Sequence, residues 1–128
     1  MSLFDSSAII NLCGERKLDK LLDGWTLKLA FYELGNAVWK QVHLYKNIKP
    51  EEAAVLLGSL IEVFDTLKKS KEGNALEILS KALKEDINYY DASYIQAAID
   101  NDLTLVTDDL QLYNVGKKYV KTMKSDEV

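Results

Sequence analysis

A single cysteine, Cys13, and a single histidine, His43, stand in this chain of 128 residues. One thiol makes neither an internal disulfide nor a thiolate metal cage, and one imidazole anchors neither a zinc site nor a histidine pair. Basic residues are also in deficit: 16 Lys and Arg face 20 Asp and Glu, and the net charge of −4 argues against a general electrostatic grip on nucleic acid. That exclusion is incomplete, because acids that capture a divalent cation reverse the local sign. No apolar run reaches membrane-spanning length, and the opening Met1-Ser2-Leu3-Phe4-Asp5 has neither a basic region nor a cleavable apolar stretch. A cytoplasmic protein with no membrane partner is expected. Internal repeats, low-complexity segments, linkers and a Gly-rich phosphate loop are all missing. Any chemistry must therefore run on oxygen ligands.

Hydrophobic content of 48% with 28% charged residues is that of a globular protein, and the length suits one domain over 1–128, with about 124–128 fraying. The chain alternates strand and helix. Ser2 to Asp5 reads as a short strand, followed by a helix from Ser6 toward Leu22 that breaks near Gly14, and Asp23-Gly24 is a turn. Residues 25–29 alternate as a strand does. From Ala30 the period changes, with Phe31, Leu34, Val38, Val42 and Tyr45 at three- and four-residue steps, which predicts an amphipathic helix. Pro50-Glu51-Glu52 starts another helix, expected to run to about Leu60, with a strand over 63–66 and a polar connection over 68–73. Ala75, Leu76, Leu79 and Leu83 mark a further helix, and Asn88 caps one carrying Ala92, Ile95 and Ile99. Residues 103–106 form a buried strand, Thr107-Asp108-Asp109 a helix entry, and 119–121 an edge strand. Such alternation predicts an α/β fold in three layers, with helices on both faces of a mostly parallel sheet.

Four acids, Asp5, Glu33, Asp91 and Asp109, each stand at a strand-to-helix junction or in the first turns of a helix. Singly, each has a plain structural use: Asp5 as a cap, Glu33 as a complement to a helix dipole, Asp91 in an Asn88-x-x-Asp91 capping box, Asp108 or Asp109 as a cap after Val106. Jointly they mean more. In an open parallel sheet such positions line one edge and converge. Two like charges about 4 Å apart repel by roughly 4 kcal/mol at an effective dielectric near 20, so assembled carboxylates call for a counter-charge. Mg²⁺ or Mn²⁺ supplies it.

Asp5-Ser6-Ser7-Ala8-Ile9-Ile10, Phe31-Tyr32-Glu33-Leu34, the segment from Tyr90-Asp91-Ala92 to Ala98, and Leu105-Val106-Thr107-Asp108-Asp109 come in the order and setting of PIN-domain proteins. The chain resembles that family over nearly its whole length, and among its members is most similar to single-domain VapC-type toxins of toxin-antitoxin pairs. The resemblance implies a PIN-like fold with about five strands, and a metal-dependent endoribonuclease whose Mg²⁺ or Mn²⁺ is held by Asp5, Glu33, Asp91 and Asp109. Asp109 is preferred over Asp108 because it completes Thr-x-Asp after Thr107. Glu33 departs from the family in following Phe31-Tyr32, where a small hydroxyl residue is common.

Asp5 and Asp91 are assigned as direct ligands. Glu33 and Asp109 are left open between ligation, holding a metal-bound water and orienting the nucleophile. Ser7 and Thr107 are secondary candidates as hydroxyls positioning a carboxylate or water, with ordinary turn bonding as the alternative. Lys40, two helical turns after Glu33, is a candidate phosphate contact against the default of a solvated lysine. Trp25, Trp39 and the tyrosines read as core or interface material.

The resemblance further implies an RNA substrate, a cognate antitoxin protein and a homodimer, for which Val55, Leu56 and Leu57 offer apolar surface. Two alternatives stay open: a catalytically inactive PIN-like interaction module, and a Mg-dependent phosphoryl-transfer or receiver-type domain. Against the latter, Asp5-Ser6-Ser7 lacks the second acid of an Asp-x-Asp motif.

Overall fold

The computed structural model describes residues 1–128 and places β1 (Ser2–Phe4) at the centre of a five-stranded sheet. On one side lie β2 (Trp25–Thr26) and then β3 (Lys68–Lys69); on the other lie β4 (Thr104–Val106) and then β5 (Thr122–Met123). Every pairing is parallel. β1 and β4 are in register, Leu3 beside Leu105 and Phe4 beside Val106. Side chains alternate across a strand, so each pair faces its own layer. Leu3 and Leu105 enter one apolar core and Phe4 and Val106 the other.

Six helices form those layers. α1 (Ser6–Gly14), α2 (Leu29–His43) and α3 (Pro50–Thr66) pack on the Phe4 and Val106 face. α4 (Ala75–Glu85), α5 (Tyr89–Asn101) and α6 (Leu110–Gly116) pack on the other. Chirality accounts for the segregation. The chain steps outward from β1 to β2 to β3, then returns past β1 to β4 and β5, and right-handed crossovers made in opposite directions land on opposite faces. The order reverses between β1 and β4, which opens a crevice at their carboxyl ends. No helix is long and apolar enough to cross a membrane.

Local chemistry explains the helix starts. Pro50 opens α3, and the Glu52 carboxylate accepts from the Lys49 amide at 3.2 Å. Asn74 caps α4 by accepting from Leu76 and Glu77. Asn88 caps α5 by accepting from the Asp91 amide at 2.8 Å.

Several boundaries differ from the sequence expectations. α3 runs through to Thr66, so residues 63–66 are helix and not strand. Leu60 and Phe64 are buried at a four-residue step on the helix, and this packing outweighs the β-branched character of the segment. The strand falls instead at Lys68–Lys69, inside the expected polar connection, where the Lys69 ammonium donates to the Phe64 and Leu67 carbonyls and closes α3. The last strand is Thr122–Met123, not 119–121; the Lys121 carbonyl accepts from Leu105 N at 2.9 Å and the Met123 carbonyl from Thr107 N at 3.0 Å. Residues expected to fray form a 3-10 turn, Ser125–Glu127, with Ser125 buried.

Among the glycines, Gly24 alone comes close against the central strand. A Cβ there would lie 2.6 Å from a Phe4 ring carbon and 2.9 Å from the Leu21 carbonyl oxygen. Phe4 is itself fully buried and has nowhere to move. Gly24→Ala should therefore lower the unfolding free energy by about 1–3 kcal/mol in a denaturant titration, the usual cost of overpacking. Gly35→Ala, in a helix with nothing within 4 Å, should cost nothing.

Candidate acidic site at the carboxyl ends of β1 and β4

Asp5 leaves β1 with its amide still bonded to the Val106 carbonyl of β4, at 3.2 Å. Its side chain is buried and saturated. One oxygen accepts from the Ala8 amide at 2.9 Å and the Ser7 hydroxyl at 2.7 Å; the other accepts from the Thr107 hydroxyl at 2.5 Å. Thr107 in turn accepts from the Asp109 amide, and Ser7 from the Asp108 amide. Paired hydroxyls thus lock the loop after β4 onto the start of α1. Burial raises the Asp5 carboxyl to about 6; the bonds from Thr107, Ala8 and Ser7 oppose the rise, and the charge of Glu33 adds to it.

Glu33 sits early in α2, where the Tyr94 hydroxyl of α5 donates to it at 2.6 Å. Burial raises its pKa, while Tyr94 and Ser6 pull it down. Tyr94 is almost wholly buried, and burial beside the Glu33 charge pushes its phenol well above the ordinary value, so it stays a donor. Asp91, in the first turn of α5, differs from the others. Its half-buried carboxylate accepts no hydrogen bond within the protein, and it is raised to about 6 by burial and then by the charges of Asp109, Glu33 and Asp5.

The adjacent acids at 108 and 109 divide their work. Asp109 is exposed, caps α6 through the Leu112 amide at 2.8 Å, and acts electrostatically on Asp91. Asp108 turns away: its carboxylate accepts from Asn11 at 2.7 Å and from the Ser125 amide and hydroxyl at 2.9 and 2.5 Å. It staples the loop to α1 and to the terminal turn. Lys40 is exposed and forms no ion pair with any of these acids. Tyr94, Asn11 and Ser125 were not anticipated. Only Tyr94 had a signal in the sequence, its position three residues after Asp91 on one helix face.

A hard divalent cation fits this donor set. The four acids offer only oxygen, neither ion pair of the protein involves any of them, and Asp91 lacks any partner. No three of the carboxylates are drawn together around a common point in this conformation; Asp5, Glu33 and Asp109 each turn an oxygen to a donor of the protein instead.

Residues 2–118 match the family model of the PIN domain. The chain is 34% identical over 86 residues to "Exonuclease VapC9" of Pyrobaculum aerophilum, a match covering 67% of this chain and 62% of that protein, slightly under two thirds of its length. It is also 34% identical over 101 residues to "Ribonuclease VapC3" of the same organism, covering 77% of this chain and 76% of that one. Its fold is similar to the crystal structure of PAE2754 from Pyrobaculum aerophilum, with a TM-score of 0.84 and 27% identity over 98% of this chain and 84% of that chain.

The raised acids set a pH dependence. Asp5 and Asp91 titrate near 6 in the folded protein against an ordinary 3.8, so between these values the folded state holds more protons than the unfolded chain. Stability then falls as pH rises through that window and is lowest above it. In chelator, the melting temperature should rise by a few degrees on going from about pH 7.5 to about pH 5, and Asp91→Asn should flatten the rise. Solvent screening at half-buried Asp91 keeps the change modest. Melting curves followed by circular dichroism check it.

Proposed function

The chain belongs to the PIN-domain family, and from that premise we propose that it is a metal-dependent endoribonuclease of the VapC type, the toxin of a toxin-antitoxin pair. The observation that carries the reading is Asp91, a partnerless half-buried carboxylate among the charges of Asp109, Glu33 and Asp5 with no lysine or arginine paired to any of them. One of these relatives is named for exonuclease and the other for ribonuclease activity, so internal cleavage is part of the proposal.

Asp5 and Asp91 are the proposed ligands of Mg²⁺ or Mn²⁺, with Glu33 and Asp109 completing the acidic rim. A cation held there would acidify a water for attack on phosphorus and offset the phosphate charge. The chain's own contribution is positional. Thr107 and Ser7 hold Asp5, the permanently protonated Tyr94 holds Glu33 in the role a neighbouring small hydroxyl plays elsewhere in the family, and the Leu112 amide fixes one oxygen of Asp109. Asp108 is assigned a structural role.

A ribonuclease assay with Mg²⁺ or Mn²⁺ tests this directly. Wild type should cleave RNA, and Asp5→Asn, Asp91→Asn and Asp109→Asn should each slow cleavage on the order of a hundredfold or more. Asp108→Ala should keep most activity but lose about 1–3 kcal/mol of stability with its bonds to Asn11 and Ser125. Equal cleavage by the Asn variants, or by wild type in excess chelator, would reveal a contaminating nuclease and remove the mechanism.

An antitoxin protein and a second copy of the chain are the proposed partners, acting in the cytoplasm. Supporting a homodimer, Val55 and Leu56 of α3 and Trp39 of α2 are exposed, while Leu57 turns partly into the core. Light scattering after size exclusion should give twice the chain mass at micromolar concentration, and Val55→Asp should shift it to monomer. A strictly monomeric wild type would overturn the dimer.

A further inference from the structure

Beside the acids, a cavity of about 410 Å³ opens between the start of α5, the turn from β2 into α2 and the loop from β3 into α4. Its size is that of clefts that take small organic groups, about 300–1,000 Å³. Ile78 and Ala97 are buried in its wall, whereas Tyr89 and Tyr90 are 41% and 58% exposed. Lys28 and Lys71 also line it, outnumbering the single acid Glu72, and neither lysine is in an ion pair.

Its position is as telling as its lining. Tyr90 and Ser93 flank Asp91 on α5, and Leu29, another lining residue, begins the helix that carries Glu33 one turn later. Cavity and acids therefore share two helix starts. Exposed flat aromatic rings suit a nucleobase, since every base has a π-face, and lysines beside them suit the adjoining phosphates. Those two lysines give a chain of net charge −4 a local positive pair at the cavity.

We propose that this cavity is a nucleoside subsite: the base next to the scissile phosphodiester stacks on Tyr89 and Tyr90, and Lys28 and Lys71 meet the flanking phosphates. The assignment of the scissile bond rests on the nuclease reading, whereas the capture of a base does not. By sequence the tyrosines read as core or interface material; the exposure of Tyr89 and Tyr90 takes these two out of the core.

Anisotropy of a labelled oligoribonucleotide, measured on the Asp91→Asn protein to silence cleavage, tests the subsite. Adding Tyr90→Ala should weaken binding roughly tenfold, within the range for one stacked base, and Tyr90→Trp should retain affinity. Lys28→Gln should weaken binding and lower its salt dependence. In the cleaving protein, Tyr90→Ala should raise KM more than it lowers kcat. RNA binding with this tyrosine dependence but no cleavage by wild type would remove the nuclease reading and leave the subsite standing. Cleavage with affinity and KM unmoved by Tyr89→Ala and Tyr90→Ala would overturn the subsite alone and give the cavity to another occupant, such as an apolar side chain of a protein partner. Absence of RNA binding by every form would also overturn the subsite.

Discussion

The hydroxyl of Thr107 donating to the carboxylate of Asp5 closes the gap between the two central strands, and the rest of the site is arranged around that bond. It forms because β1 and β4 are in register and their ladder continues one residue further, through the Asp5 amide and the Val106 carbonyl. A buried carboxylate without donors would cost several kcal/mol, and Asp5 receives two donors from the first turn of α1 and one from the loop after β4. Thr107 also accepts from the Asp109 amide, so one hydroxyl sets the position of two acids whose codons lie over a hundred residues apart. A valine of the same shape would fill the space and satisfy neither.

Charge balance limits what this arrangement can be for. Asp5 and Asp109 cap helices and Asp91 lies in a first turn, so positive helix ends offset part of their charge, typically 0.3–1 kcal/mol each. Mutual repulsion of close carboxylates is of the order of several kcal/mol, and dipoles do not cancel it. Burial is the larger cause of the rise of Asp5 and Asp91 to about 6, and the neighbouring acids add to it, chiefly at Asp91. A fold that only needed its helices capped would use Asn or Ser at these places, as it does with Asn74 and Asn88, and carry no repulsion.

The layers and the parallel sheet were legible because the hydrophobic period switches clearly at Ala30 and because Pro50 and Asn88 announce their helices chemically. The strand expected at 63–66 failed because a short apolar run has no period of its own, and burial of Leu60 and Phe64 decided it as helix. Lys68–Lys69 could not be read as a strand, since a two-residue edge carries no pattern. The placement of the acids near enough to shift Asp91 was legible from topology, whereas their hydrogen bonds, which turn three of them toward protein donors, were not. Tyr94 reaches Glu33 across 61 positions, and Ser125 reaches Asp108 across 17, partnerships that only tertiary packing creates.

Capping and cation binding, which looked like rival explanations of each acid, are compatible at the level of single oxygens. Asp109 gives one oxygen to the Leu112 amide and has no protein donor on the other, so the cap fixes the carboxylate while leaving a free edge beside Asp91. A side chain held this way loses its rotamer freedom before any ligand arrives, which lowers the entropic cost of binding. Asp108, one residue earlier, shows the contrary outcome: three donors engage its two oxygens and no free edge remains toward the cluster. Donor number alone does not separate the proposed ligands from Asp108, since Asp5 also has both oxygens engaged; Asp91 is the one of the four acids without any donor, and every charge that shifts it is negative.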